Sequence, residues 1–219
     1  MSGDKNLTAM SNISVFVNVP YGAEMSDLVI AYIAGLTSLG LVPRFTAELP
    51  IGARLDRIVE LIRSCRYSVH DLSYVQLDKG QPRTPRFNMP FELGIAVAGS
   101  MSGEHDWFVF EARPFRINKS LSDLNGIDVF IHSNSPKILL SQLSNAFVRV
   151  DNPPTSQQMQ SVNADVRGMA FGLAKTGSIF EGRILKELIV VATHYAAVHI
   201  PQRRRSISDY ASIAARPQL

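Results

Sequence analysis

Residues 53–73 read ARLDRIVELIRSCRYSVHDLS. Leu55, Ile58, Val59, Leu61 and Ile62 form an apolar stripe, so Ala53 to Arg66 is expected to be a helix. Tyr67 to Leu72 follows at once as a strand. A helix that passes directly into a strand is half of a βαβ unit, and the chain repeats it on both sides. Upstream, Ile13 to Val19 (ISVFVNV) is a β-branched and aromatic strand ended by Pro20-Tyr21-Gly22. Ser26 to Leu39 is a helix, with Leu28, Ile30, Ile33, Leu36 and Leu39 at helical spacing, Ser26 as its N-cap and Gly40 as its C-cap. Leu41 to Thr46 is a second strand, and Pro50-Ile51-Gly52 is a loop. Downstream, the polar loop Ser73 to Arg86 leads to a helix with Pro90 in its first turn, running to about Ser100. Trp107 to Glu111 and Asp128 to His132 are further strands. Between them, Arg113 to Gly126 reads as loop and short helix, and Ser135 to Val148 is a closing helix.

Strands and helices thus alternate five times. The expected class is α/β, a flavodoxin-like five-stranded parallel sheet with helices on both faces and strand order 2-1-3-4-5. Ligands in such sheets bind beyond the carboxyl ends of the strands. Here those ends are Val19 to Gly22, Thr46 to Pro50, His70 to Ser73 and Glu111 to Arg113.

Asp151 to Thr155 (DNPPT) breaks the pattern. Residues 1–12 are expected to be a flexible N-terminus, 13–150 the α/β domain, and 151–219 a C-terminal helical extension with a basic tail. The extension holds two helical segments, about Gln157 to Lys175 and Ile179 to His199. Gly168 and Gly172 have the spacing of a close helix contact. Packing on the sheet domain and an oligomer contact both remain open for this part.

Hydrophobic residues make up 46% of the 219 and charged residues 19%, an ordinary globular composition. The net charge of +3 is concentrated in Arg203, Arg204 and Arg205, so charge gives little reason to expect nucleic acid. The longest apolar run, Leu188 to Ile200, is too short for a membrane span, which needs ~20 residues. A single cysteine, Cys65, excludes an intrachain disulfide and fits a cytoplasmic setting. Cys65 is expected in the core. No metal site and no cofactor are expected, since His105, His132, His194 and His199 lack metal-ligand spacing.

Three stretches converge at the expected site. Asn18 to Gly22 (NVPYG) ends the first strand, and His70-Asp71-Leu72-Ser73 ends the third. Pro85 to Gly94 (PRFNMPFELG) opens the next helix. Glu92 stands out there as a carboxylate among Phe91, Leu93, Ile95, Ala96 and Val97. Gly94 would let another backbone approach closely.

Ser64 to Ser73 (SCRYSVHDLS), followed by Asn88 to Gly94 (NMPFELG), resembles the core of the nucleoside 2-deoxyribosyltransferase superfamily. It is equally similar to TIR-like nucleotide-binding domains. The shared signature is a strand ending in V-x-D-x-S and a helix opening in N-x-x-x-E-[LI]-G. The resemblance implies cleavage or transfer at an N-glycosidic bond, with Glu92 as the catalytic glutamate and Asp71 as the acidic residue on the sugar or base. It also implies Asn88 as the Asn of the helix-opening motif. His70 stands where the transferases usually carry a small residue, and Asn18-Val19-Pro20-Tyr21 replaces the glycine-rich opening of the hydrolase branch.

The chemistry fits a carboxylate beneath C1′, which stabilises the positive charge built up as the C1′–N bond breaks. A strand points His70 and Asp71 to opposite faces, which favours a one-carboxylate scheme and an NAD-type substrate. The resemblance implies catalysis by Glu92 and Asp71. Contacts to a nucleotide or nucleoside, NAD included, are expected from Asn18, Pro20, Tyr21, His70, Ser73, Arg86, Phe87 and Asn88. Tyr21 and Phe87 would stack on a base, and Arg44, Arg83 and Arg86 would meet phosphates. The other reading is an inactive nucleotide-sensing or oligomerising module. A homo-oligomer is expected in either case.

Overall fold

The computed structural model describes residues 13–49, 54–74, 86–101, 103, 105–148, 153–173, 175 and 177–200. The expected flexible N-terminus, the loop Pro50-Ile51-Gly52, most of the loop Ser73 to Arg86 with Arg83, and the basic tail lie outside these residues.

Five strands form one parallel sheet in the order β2-β1-β3-β4-β5. They are β1 (Ser14–Asn18), β2 (Val42–Arg44), β3 (Tyr67–Asp71), β4 (Asp106–Glu111) and β5 (Val129–Ile131). The expected strand order is therefore observed, with Asn18 opposite His70 and Asp71 opposite Phe110 in the register. The helices are α1 (Ser26–Ser38), α2 (Arg54–Ser64), α3 (Asn88–Ser100), α4 (Arg116–Ser120), α5 (Pro136–Ala146), α6 (Ser156–Leu173) and α7 (Gly182–His199).

One face of the sheet carries α1 and α5, with α6 and α7 stacked over α1 as a further layer. The C-terminal helices thus share a single apolar core with the sheet, through Met159, Val162, Val166, Ile184, Leu185 and Leu188. The other face carries α2 and α3, packed through Ile58, Leu61, Ile62, Cys65 and Ala96 around Phe16. Cys65 is in this core as expected, and burial pushes its thiol up to about 11.

The close helix approach is not at Gly168 and Gly172. A Cβ at either would meet nothing within 4 Å. It lies at Gly35, where a Cβ would come within 2.6 Å of Leu143, and at Gly182, where a Cβ would run into the Ala47 carbonyl oxygen. Gly94 likewise has open space beside it, so no backbone among the described residues uses the room it offers.

Candidate functional site

The alternation of β3 divides the candidate residues between the two faces of the sheet. Tyr67, Val69 and Asp71 point toward α1, while Ser68 and His70 point toward α2 and α3. Each side carries one buried carboxylate from the expected site.

On the α1 side, Asp71 is fully buried. Its Oδ2 accepts from the Tyr32 hydroxyl at 3.0 Å and lies 3.2 Å from His132 Nε2. Its Oδ1 accepts from the Ser73 backbone N–H at 2.9 Å. His132 Nδ1 accepts the Asn134 N–H at 3.2 Å, which leaves the proton on Nε2, facing Asp71. Burial alone would raise the Asp71 carboxyl. His132 and the two Ser73 contacts outweigh burial and hold it below the ordinary value. The Tyr32 hydroxyl is pushed well up by burial and by Asp71 beside it.

Ser73 Oγ also reaches His132 Nε2, at 3.0 Å. The serine and the aspartate share one ring nitrogen, so the trio is not wired as a nucleophilic triad, in which base and orienting group use different nitrogens. Next to it, the buried Glu111 takes a bidentate pair of bonds from Arg116, whose guanidinium also donates to the Leu72 and Ser73 carbonyls. The carboxyl end of β3 is therefore clamped from the β4 side.

On the α3 side, a directional hydrogen-bond chain runs beneath the sheet. Asn18 Nδ2 donates both to the Met89 carbonyl and to His70 Nδ1, each at 2.9 Å. His70 Nε2 meets Ser68 Oγ at 2.9 Å, and Ser68 Oγ meets His105 Nε2 at 2.8 Å. His105 Nδ1 donates to the Cys65 carbonyl at 2.9 Å. This pattern is complete only with both imidazoles neutral. Burial enforces that state: it lowers His70 to about 3, helped by His105, and lowers His105 as well. Asn18 and His70 thus fasten the first turn of α3 to the tip of β1.

Glu92, on the next turn of α3, is only 7% exposed. Its carboxylate takes no hydrogen bond from any described residue. Burial raises it to about 7, opposed among the described residues by the field of Arg54 at the start of α2. The Tyr21 ring lies close enough that the Glu92 charge helps burial raise the Tyr21 hydroxyl. That hydroxyl is held by Thr46 Oγ1 at 3.0 Å and by the Ala47 N–H at 3.2 Å, while the ring packs on Phe180 at 5.5 Å. Phe180 precedes α7, so the C-terminal extension forms part of the wall around Tyr21.

The structure thus groups Glu92 with Tyr21, Asn18 and His70, and separates it from Asp71 and Ser73 across the sheet. His70 reaches the site only through Asn18. Pro20 is buried at the tip of β1. Arg86 is exposed and donates to the Tyr21 carbonyl at 3.2 Å, whereas Phe87 and Asn88 are exposed at the start of α3. Arg44 pairs with Glu48 at 3.3 Å. Sequence reasoning missed Arg54, Thr46 and Phe180 on the Glu92 side, and Tyr32, His132 and Arg116 on the Asp71 side. His132 had a visible signal, since it follows β5 at the ligand-binding edge. The others are brought in by packing. No group of side chains among the described residues has a metal-binding arrangement, and no described helix is long and apolar enough to cross a membrane.

Comparison of the chain with protein-family models, curated proteins and solved structures finds no match. What stands is the class defined by fold and site: a five-stranded parallel α/β protein with a buried carboxylate at the carboxyl edge of its sheet.

Proposed function

We propose that this protein breaks or transfers the N-glycosidic bond of NAD or a related nucleotide, with Glu92 beneath C1′. The observation that carries the reading is the state of Glu92: buried, without a hydrogen-bond donor among the described residues, and raised to about 7. Such a carboxylate is a poor structural element and a good partner for developing positive charge. A cationic substrate base or an oxocarbenium-like sugar would add counter-charge to the field of Arg54.

The C1′–N bond breaks with its electron pair leaving on the base. The Glu92 carboxylate stabilises C1′ or bonds to it, and water or a second base then attacks C1′ and frees the carboxylate. Nicotinamide leaves as a neutral molecule, so no general acid is required. That suits a site where the second carboxylate, Asp71, lies across the sheet. Tyr21 offers a ring face to the base, and Asn18 with His70 positions the start of α3. Arg86, Phe87 and Asn88 are open to the rest of a nucleotide.

The test is chromatography of products after incubation with NAD and with deoxynucleosides. Wild type releases free base, and Glu92→Gln, folded by circular dichroism, releases none. Equal release by both would rule out the role of Glu92. Thermal stabilisation by the nucleotides without product from wild type would instead support the nucleotide-sensing module.

A further inference from the structure

Two helices of this chain are apolar around most of their circumference. α1 (SDLVIAYIAGLTS) has Asp27 as its only charged residue, and α3 (NMPFELGIAVAGS) has only Glu92. Helices of this kind belong in an interior. α1 has one, with the sheet beneath it and α6 and α7 above, and Leu28 through Ser38 are all buried. α3 has the sheet beneath it and α2 at its side, but no described helix above it. Its neighbour α2 turns Arg54, Asp56, Glu60 and Arg63 outward, as a solvated helix does.

The uncovered face of α3 is a single stripe. Phe87, Phe91, Gly94, Ala98 and Met101 follow one another at steps of four and three residues, and all are exposed. Phe87 is 65%, Phe91 56% and Met101 85% accessible. Gly94 sits in the middle with nothing within 4 Å of where its Cβ would be. A mid-helix glycine costs about 1 kcal/mol relative to alanine, and no contact among the described residues offsets that. A second backbone crossing there would.

We propose that this face docks a second copy of the chain, in a two-fold interface with α3 antiparallel to α3 and Gly94 at the crossing. The stripe is self-complementary under that operation. Phe91 falls opposite Ala98 of the second copy and Gly94 opposite Gly94, so bulk meets small beside the crossing, while Phe87 meets Met101 at either end. The three large side chains expose together about 400 Å² per copy, at roughly 200 Å² for a fully exposed large side chain. That is half of the ~800 Å² each partner buries in a stable interface, and the flanking Pro90, Ile95 and Val97 extend it. The face carries no charge, so a second copy brings no repulsion, whereas a charged partner would lose hydration without compensation. The proposal does not depend on the chemistry assigned to Glu92.

Sedimentation of the full chain across a wide concentration range tests it, together with engineered thiols. The wild type sediments as a dimer. Phe91→Glu leaves the far-UV circular dichroism spectrum unchanged and weakens the dimer at least about thirtyfold, the size of a hot-spot loss. Gly94→Cys forms a disulfide-linked dimer on mild oxidation, while Lys186→Cys on the exposed side of α7 does not. Cys65 is buried and does not compete. A monomer at every concentration overturns the proposal, including one that dimerises only after residues 201–219 are removed and so covers the face with its own tail. A dimer that survives Phe91→Glu, or that crosslinks as readily through Lys186→Cys, overturns it too.

Discussion

Asp71 and Glu92 are two buried carboxylates at the same edge of the same sheet, and their surroundings treat them in opposite ways. Asp71 receives Tyr32, His132 and the Ser73 N–H, and its carboxyl is held below the ordinary value. Glu92 receives no hydrogen bond from the described residues and is raised to about 7. Burial acts on both, so the difference comes from the donors. An ionised carboxylate with donors on both oxygens helps to hold the fold together. One without them destabilises the fold at neutral pH and is available to a ligand. The geometry therefore divides the expected pair of acids into one held by donors and one without them among the described residues.

The largest expected effect breaks the structural side. Asp71→Ala takes the acceptor from the Tyr32 hydroxyl and the Ser73 N–H in the interior and leaves His132 Nε2 with Ser73 Oγ alone. Urea denaturation should show a loss of about 3–5 kcal/mol, or no folded protein at all. A loss under about 1 kcal/mol would mean that the network does not support the fold.

Next comes the side without donors, where removing the charge should stabilise. A carboxyl that titrates near 7 when folded and near 4.5 when unfolded binds more protons in the folded state between those values. Its contribution to stability is therefore present below about 4.5 and is lost as pH rises through 7. Glu92→Gln should gain up to about 3 kcal/mol at pH 8 and nothing at pH 4. The buried histidines act in the other direction. His70 and His105 have lowered values, so stability falls as pH drops from the ordinary histidine range toward His70's value of about 3. In wild type the two slopes partly cancel between pH 4.5 and 6.5. In Glu92→Gln the histidine slope stands alone, and stability should climb steeply across that window.

Smaller effects sharpen the contrast. Tyr21→Phe removes the bonds to Thr46 and Ala47 and should cost about 1 kcal/mol in thermal or urea melts. Arg54→Ala removes the one cation among the described residues whose field lowers Glu92. If Glu92 acts ionised, kcat/KM should rise with pH through about 7 in wild type and through a higher value in Arg54→Ala. A profile that falls above 7 would instead assign Glu92 the role of general acid.

Much of the architecture was legible because it rests on local pattern. The β-branched run Ile13 to Val19, the apolar stripe of Ala53 to Arg66 and the alternation around them imply the five strands and their order. The division of His70 from Asp71 followed from the two-residue period of a strand. The placement of α6 and α7 was not read, although α1 carried the sign of it: a helix with so little polar surface needs a cover on its outer side. Gly168 and Gly172 misled because spacing shows where a close contact is possible, not where a neighbour arrives. Gly35 and Gly182 make such contacts, against Leu143 and the Ala47 carbonyl. The donors that separate Asp71 from Glu92 come from positions 32, 73 and 132, joined only by the folded sheet. No local signal distinguishes an acid that will be satisfied from one that will not.

The most direct measurement is the titration of Glu92 itself, followed through its side-chain carboxyl carbon by NMR in the free protein and assigned by its absence in Glu92→Gln. A midpoint near 7 is the result expected for a buried carboxylate without donors. A midpoint in the ordinary glutamate range, about 4.3, would contradict it and leave no physical reason to assign the site its chemistry.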